Sequence, residues 1–365
     1  MENMVDPPPV SSGTPRNGET SKILVTGAEG YIGYILSSRL LSIGYDVTGL
    51  DTGFYNRGFL YNDGSDRPRV LRRDVRRIGV EELRGFDTVV HLAELSNDPL
   101  CEFDEQTTYD INFKGSVALA EKAKMAGVRR FIYSSSCSTY GASGDAERTE
   151  RSAVDPQTAY ARCKILVERG VSALADNDFA PTFLRNATAF GASPRMRFDI
   201  VLNNLAGLAW TTRCIRMTSD GTPWRPLVHV EDICDAIIAC LEAPREAIAN
   251  EIFNVGDDNQ NYRVRDIVET VGTIFPGCSV AIGNNNGDNR SYRVSFQKIR
   301  KHLPNFHCRW DIERGAEQLR GIFEKIEMTE ETFKAAPFTR LQQLKQLVRS
   351  NQVDDSLHWR GHALS

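Results

Sequence analysis

SKILVTGAEGYIGYILSSRLLSIGYDVTGLD, residues 21–51, decides the fold. Residues 21–25 read as a buried β-strand, 31–43 carry helical periodicity, and 47–50 form a second strand that ends in Asp51. Between the first strand and the helix, TGAEGYIG (26–33) sets Gly27, Gly30 and Gly33 three residues apart. A glycine-rich turn at such a junction lets a pyrophosphate approach the backbone and aims the helix N-terminal amides at it. An acid about 20 residues further on can hold adenosine ribose hydroxyls. The stretch therefore reads as a dinucleotide-binding unit.

Working outward, residues 69–71, 88–92 and 131–134 read as further strands, and 79–84 and 106–126 as helices. Such alternation predicts an α/β chain, a Rossmann-type doubly wound parallel sheet with helices on both faces. Open sheets of this kind bind ligands at the carboxyl ends of their strands. The glycine turn, Asp51, Asp74 with Val75, residues 91–93 and SSSCSTYG (134–141) all fall at such ends. From Asn186 the pattern loosens, punctuated by Pro194, Pro223 and Pro226, which predicts a smaller C-terminal substrate-binding lobe. The expected organisation is a disordered tail at 1–21, a Rossmann domain at 22–185 and a lobe at 186–330, with a segment near 228–246 returning to the first domain. A helical C-terminal extension at 331–365 completes it.

The chain has 365 residues, 41% apolar and 25% charged, as in an ordinary soluble protein. A net charge of −4 gives no electrostatic case for nucleic acid or an anionic membrane as partner. No apolar run approaches the ~20 residues of a membrane helix. The N-terminal stretch, rich in Pro, Ser and Gly, lacks the apolar region of a secretory signal. Eight scattered cysteines, with no CxxC and no histidine at ligand spacing, argue for reduced thiols in a cytoplasmic protein and against a metal site.

Tyr160 and Lys164 form a YxxxK pair. Alone it reads as a solvated helix face; after a dinucleotide turn and a Ser-rich strand end it reads as chemistry. A free tyrosine titrates near ~10, too high for a base at neutral pH. A lysine four residues on shares its helix face, and the positive charge favours the phenolate. The pair supplies a base for a substrate hydroxyl, with Lys164 also able to reach the nicotinamide ribose.

Taken in order, TGAEGYIG, Asp51, RDV (73–75), HLA (91–93), Asn112, SSSCSTYG, YARCK (160–164) and RPLVHVED (225–232) resemble an extended short-chain dehydrogenase/reductase of the nucleotide-sugar epimerase/dehydratase group. The resemblance covers about residues 22–325. It implies NAD as cofactor, held by Gly27, Gly30, Tyr31, Ile32, Gly33, Asp51, Leu92, Ala93, Tyr160 and Lys164, with Asp74 and Val75 at the adenine. Asp51 favours NAD over NADP, with Arg57, Arg72 and Arg73 near enough in sequence to soften that choice. It implies a catalytic set of Ser136, Tyr160, Lys164 and Asn112; Ser136 stands four residues before Tyr140, the usual spacing. Ser96, Ser136, Thr188, Asn204 and Arg225 would meet a nucleotide-diphosphate sugar. The late phosphate-clamp arginine of the group falls on Asn285, leaving Arg290 or Arg293 as replacements.

The reaction is narrowed by what is missing. Dehydratases and decarboxylases of the group carry carboxylates just after the catalytic Ser or Thr, where this chain has Cys137 and Ser138. Glu94 is the nearby carboxylate that would have to compensate. The Cys–Lys pair of the 3,5-epimerases corresponds to Ser138 and Gly207. What remains is 4-epimerisation, with a net dehydrogenase or 4-keto reductase as the first alternative and a 4,6-dehydratase after it. A non-catalytic cofactor-binding scaffold would have lost Tyr160, Lys164 or Ser136, and all are present. The resemblance also implies a homodimer, through residues 107–125 and the Tyr160 helix, with Ala118, Lys122, Val167 and Val171 expected on the exposed faces.

Overall fold

The computed structural model describes residues 21–96, 98–101, 104–142, 144, 146–285 and 291–360. Seven strands form its main sheet: β1 (Lys22–Thr26), β2 (Asp46–Asp51), β3 (Arg69–Arg72), β4 (Thr88–His91), β5 (Arg130–Ser136), β6 (Ala180–Asn186) and β7 (Glu251–Val255). They run in the order β7-β6-β5-β4-β1-β2-β3, and every pairing is parallel. The order reverses between β1 and β4, so the loops leaving those strands part and open a crevice at their carboxyl ends.

Both faces of β1 are covered, which is why Ile23, Leu24 and Val25 are all fully buried. Ile23 and Val25 pack with Leu36 and Leu40 of α1 (Tyr31–Ser42). Leu24 faces the other layer, with Leu119 and Ala123 of α2 (Ser116–Met125) and Val167 and Val171 of α3 (Ala159–Ser172). This corrects the expected interface positions. Val167 and Val171 are fully buried against the sheet. The Lys122 ammonium folds back to the Ile78 carbonyl at 2.8 Å.

The helical stretch expected at 106–126 is divided. Glu105–Thr108 leads into a wider π-helical turn at Tyr109–Gly115, and only then into α2. Such widenings concentrate at functional sites, and this one carries Asn112.

Beyond β6, Trp224–His229 pairs in parallel with Thr188–Phe190 and antiparallel with Asn261–Arg263. A second core of Phe190, Phe198, Leu202, Val268 and Phe323 joins this small sheet to α4 (Val201–Thr212). The chain then returns. In α5 (Val230–Glu242) the Glu231 carbonyl accepts from Arg39 of α1 at 3.0 Å, and β7 completes the main sheet beside β6. After α6 (Ile312–Lys325) and α7 (Arg340–Arg349), the chain lies across the loop that follows β2. Gln343 donates to the Phe54 carbonyl at 3.0 Å and the Trp359 indole to that of Thr52 at 2.8 Å.

Candidate active site

A cavity of about 640 Å³ opens where the sheet order reverses. At one end lies the glycine turn. Gly27 has φ +73°, and a Cβ on Gly33 would sit 2.1 Å from the Gly27 carbonyl oxygen. α1 begins at Gly30 without a side-chain cap, leaving its first amides to a ligand. These two observations fit a dinucleotide pyrophosphate. Asp51 closes this end, accepting from the Glu29 amide at 3.0 Å and the Gly53 amide at 2.8 Å. Burial pushes its pKa up, with the amides and Arg72 pulling back. Glu29 of the turn also binds Arg72 (Nη2–Oε1 2.8 Å), and Arg73 reaches Glu82 at 3.2 Å. Two of the three arginines that could have welcomed a 2′-phosphate are therefore already paired, and Arg57 is exposed. Asp74 and Val75 line the same end, the Asp74 carboxylate gripped by Arg76 Nε at 3.0 Å.

The chemical end lies at the tips of β4 and β5. Thr158 caps α3, its hydroxyl accepting from the Ala161 amide at 3.2 Å and donating to Asp98 at 2.7 Å. This start puts Tyr160 in the first turn, on the cavity wall. Lys164 follows one turn later, its Nζ 5.3 Å from the centre of the Tyr160 ring. It donates to the Ser134 carbonyl and lies 2.5 Å from a Glu94 carboxylate oxygen. Burial pushes the Tyr160 phenol up, Lys164 pulls it back, and Glu94 pushes it up again. Burial opposes the charge on Lys164, but Glu94 and Tyr160 together hold the ammonium above its ordinary pKa. Ser136 lines the cavity at the end of β5, its hydroxyl accepting from the Ser138 amide at 3.1 Å.

The two positions after Ser136 offer no acid. Cys137 donates to the Arg185 carbonyl at 3.1 Å, and burial pushes its thiol up, so it is an inert packing group. Ser138 lines the cavity with a buried hydroxyl that has no hydrogen-bond partner among the described residues. Gly207 lies beneath Phe333, 2.2 Å from where a Cβ would stand, so an aromatic ring fills the place of a second proton donor.

Gly27, Gly30, Tyr31, Ile32, Gly33, Leu92, Ala93, Ser96, Thr188 and Arg225 also come to the cavity wall. Three expected residues do not. Asn112 is fully buried and clamps the loop after β4, donating to the Leu95 carbonyl and accepting from its amide, both at 2.8 Å. Asn204 points into the lobe and donates to the Phe198 carbonyl at 2.9 Å. Arg293 sits 5.1 Å from the Trp224 ring centre, and its neighbour Tyr292 lines the cavity instead. Arg290 lies outside the described residues. Asn186 reaches the wall beside Thr188, donating to the Ser134 hydroxyl at 2.9 Å.

The cavity also holds residues that the sequence reading missed. Arg197 donates to Ser96 at 2.9 Å and binds Asp199 through two bonds of 2.9 and 3.0 Å. The signal was RFD (197–199), an arginine and an acid two residues apart in a segment without helical period. Arg340 arrives from α7, its guanidinium 4.1 Å above Tyr55. Burial pushes it down to about 10. Nothing local marks it, because a helix-face arginine is ordinarily solvated.

Fold and site together define a dinucleotide-binding α/β protein with a tyrosine and a lysine one helical turn apart at the wall of the crevice. The chain belongs to the NAD dependent epimerase/dehydratase family, whose profile matches residues 23–256. Its cofactor is NAD. It is 30% identical over 302 residues to the UDP-glucose 4-epimerase of Corynebacterium glutamicum, covering 77% of this chain and 89% of that one. Among solved structures it matches the UDP-glucuronic acid 4-epimerase from Bacillus cereus, in complex with UDP-glucuronic acid and NAD, at 24% identity and TM-score 0.72 (84% of this chain, 99% of that one). DesIV, the dTDP-glucose 4,6-dehydratase from Streptomyces venezuelae with NAD bound, matches at 23% identity and TM-score 0.72 (83% and 97%). An epimerase and a dehydratase match equally well, so the fold alone does not select the reaction.

Proposed function

We propose that the chain is an NAD-dependent nucleotide-sugar 4-epimerase. The observation that carries this reading is a Tyr160–Lys164 pair at the cofactor crevice with no free carboxylate at positions 137 and 138. A bound NAD would supply the hydride acceptor and donor for C4. Tyr160, as phenolate, takes the C4 hydroxyl proton and later gives it back, and Ser136 donates to the same oxygen. Lys164 holds the phenolate and the nicotinamide ribose. Thr188, Arg225 and Ser96 with Arg197 anchor the nucleotide diphosphate while the 4-keto sugar turns over. An arginine suits that task because its planar fork matches a phosphate edge. The UDP-glucose 4-epimerases among its relatives support this reading over that of a dehydratase. So does Glu94, whose carboxylate is occupied by Lys164 and Tyr133 and is not free to abstract a C5 proton.

Incubation with a panel of UDP-, dTDP-, GDP- and CDP-sugars, followed by mass spectrometry and sugar analysis, tests it. Unchanged mass with inversion at C4 is the expected result. Loss of two hydrogens would identify the dehydrogenase, and loss of water or carbon dioxide would refute the proposal. An epimerase regenerates its cofactor each turnover, so NAD should survive gel filtration. We further propose a cytoplasmic protein, supported by eight free cysteines, and a homodimer, as the family resemblance implies. No described helix is long and apolar enough to cross a membrane. Light scattering that gave a monomer at micromolar protein would count against the dimer.

A further inference from the structure

Glu94 follows β4 directly, and its side chain turns inward, 3% exposed against 5% for the Lys164 side chain it meets. One carboxylate oxygen faces the ammonium at 2.5 Å. The other accepts from the Tyr133 hydroxyl at 2.6 Å and, more weakly, from the Ser116 hydroxyl at 3.4 Å. Ser116 in turn meets His91 Nε2 at 2.7 Å, and His91 Nδ1 meets the Thr26 hydroxyl at 2.7 Å. The carboxylate is thus held by β5 and α2, with His91 of β4 and Thr26 of β1 lined up behind Ser116, beneath the lysine of the proposed pair.

We propose that Glu94 is a positioning residue for proton transfer: it holds the Lys164 ammonium charged and aimed, and it sets the pH at which Tyr160 becomes a base. The proposal rests on Tyr160 and Lys164 being that pair. A lysine in a dry site sheds its proton unless an anion is close, and a buried ion pair survives only with good geometry and further hydrogen bonds. Glu94 supplies the close anion, and Tyr133 and Ser116 supply the further hydrogen bonds. The same carboxylate cancels part of the field that Lys164 exerts on the phenol. Tyr160 is also faced by Asp98 and Cys101 from the segment after β4, by Tyr133 from β5, and by Arg197, which is tied to Asp199. Cys101 and Cys163 face Glu94 as well. Burial raises both thiols to about 12 or beyond, so they add no charge near neutral pH. With the Glu94 charge removed, the phenolate becomes the anion that keeps Lys164 charged, so the coupled pair releases its first proton, from the phenol, at lower pH.

Glu94→Gln keeps the shape and removes the charge, while Glu94→Asp keeps the charge and draws it back from Lys164. Two readouts apply: the acid limb of kcat against pH, and the tyrosinate absorbance titration of the purified protein, with that of Tyr160→Phe in the matched background subtracted. Both midpoints should fall by about one pH unit in Glu94→Gln and by less in Glu94→Asp, with KM for the sugar nucleotide unchanged. An unchanged or raised midpoint in Glu94→Gln overturns the proposal, even where kcat drops. Should Glu94→Gln fail to fold, Glu94→Asp must still lower both midpoints. A wild-type turnover in Tyr160→Phe would instead refute the base assignment beneath it. An inactive Tyr160→Phe beside an unmoved Glu94→Gln midpoint refutes only the role of Glu94.

Discussion

The glycine-turn end of the cavity and its sugar end are made of different materials. The first is mostly backbone: a Gly27 at positive φ, a Gly33 that leaves no room for a methyl, an uncapped helix start and two amides on Asp51. The second is mostly side chains brought from distant segments: Ser96 after β4, Thr188 after β6, Arg197 ahead of α4, and Arg225 from the small sheet. Backbone geometry tolerates no substitution that adds atoms, whereas a wall of separate side chains loses function piece by piece. The two ends should therefore fail in different ways.

The largest effect is expected from Gly33→Ala. Its new methyl would lie 2.1 Å from a carbonyl that cannot yield without opening the turn. The purified variant should carry no NAD through gel filtration, and retention at the wild-type level would mean that the turn is looser than its geometry states. Tyr160→Phe comes next. Turnover should drop by ~10²–10⁴-fold while cofactor retention and melting temperature stay near wild type.

Two buried histidines, one in the main sheet and one in the lobe, extend the comparison to stability. His91 sits at the tip of β4; His229 stacks on Trp310 at 4.1 Å in the lobe and caps α5. Burial pushes both down to about 3 from 6.5, so the native protein holds them neutral where the unfolded chain would protonate them. Their contribution is complete above about pH 6.5 and is lost as the pH falls toward about 3. At about pH 5 each should cost on the order of 2 kcal/mol. Melting curves should show the loss, and His91→Gln and His229→Gln should each flatten roughly half of it. A melting temperature independent of pH across that range would contradict the burial of these rings. The smallest expected effect is that of Arg340→Met, about tenfold in NAD affinity by calorimetry, the size of one charged hydrogen bond. No change would mean that the arginine serves only its packing on Tyr55 and its hydrogen bonds to the Arg195 and Pro337 carbonyls.

Legibility followed the same division. The placement of TGAEGYIG, Asp51 and YARCK could be read because each lies within one local unit, a turn, a strand end or a single helix face. Asn112 was expected in the catalytic set, but the sequence does not say that the helix around it widens and turns its amide to the Leu95 backbone. Val167 and Val171 were assigned to an outer face because a helix with apolar residues on two sides does not state which side meets the sheet. Asn204 and Arg293 were carried over by position alone, and the lobe's own packing directs them elsewhere.

The sequence by itself determined the parallel sheet, the dinucleotide crevice and the Tyr–Lys pair, because these depend on periodicity, glycine sterics and a spacing of one helical turn. Only the tertiary structure decided that Glu94 lies beneath Lys164, that Arg197 joins Ser96, and that Arg340 returns from α7 to the cavity. Those contacts join residues 70, 101 and some hundreds of positions apart. Each buries a charge against one specific partner, a carboxylate for Lys164, a hydroxyl for Arg197 and an aromatic ring for Arg340, and no local pattern of residue types encodes which partner that will be.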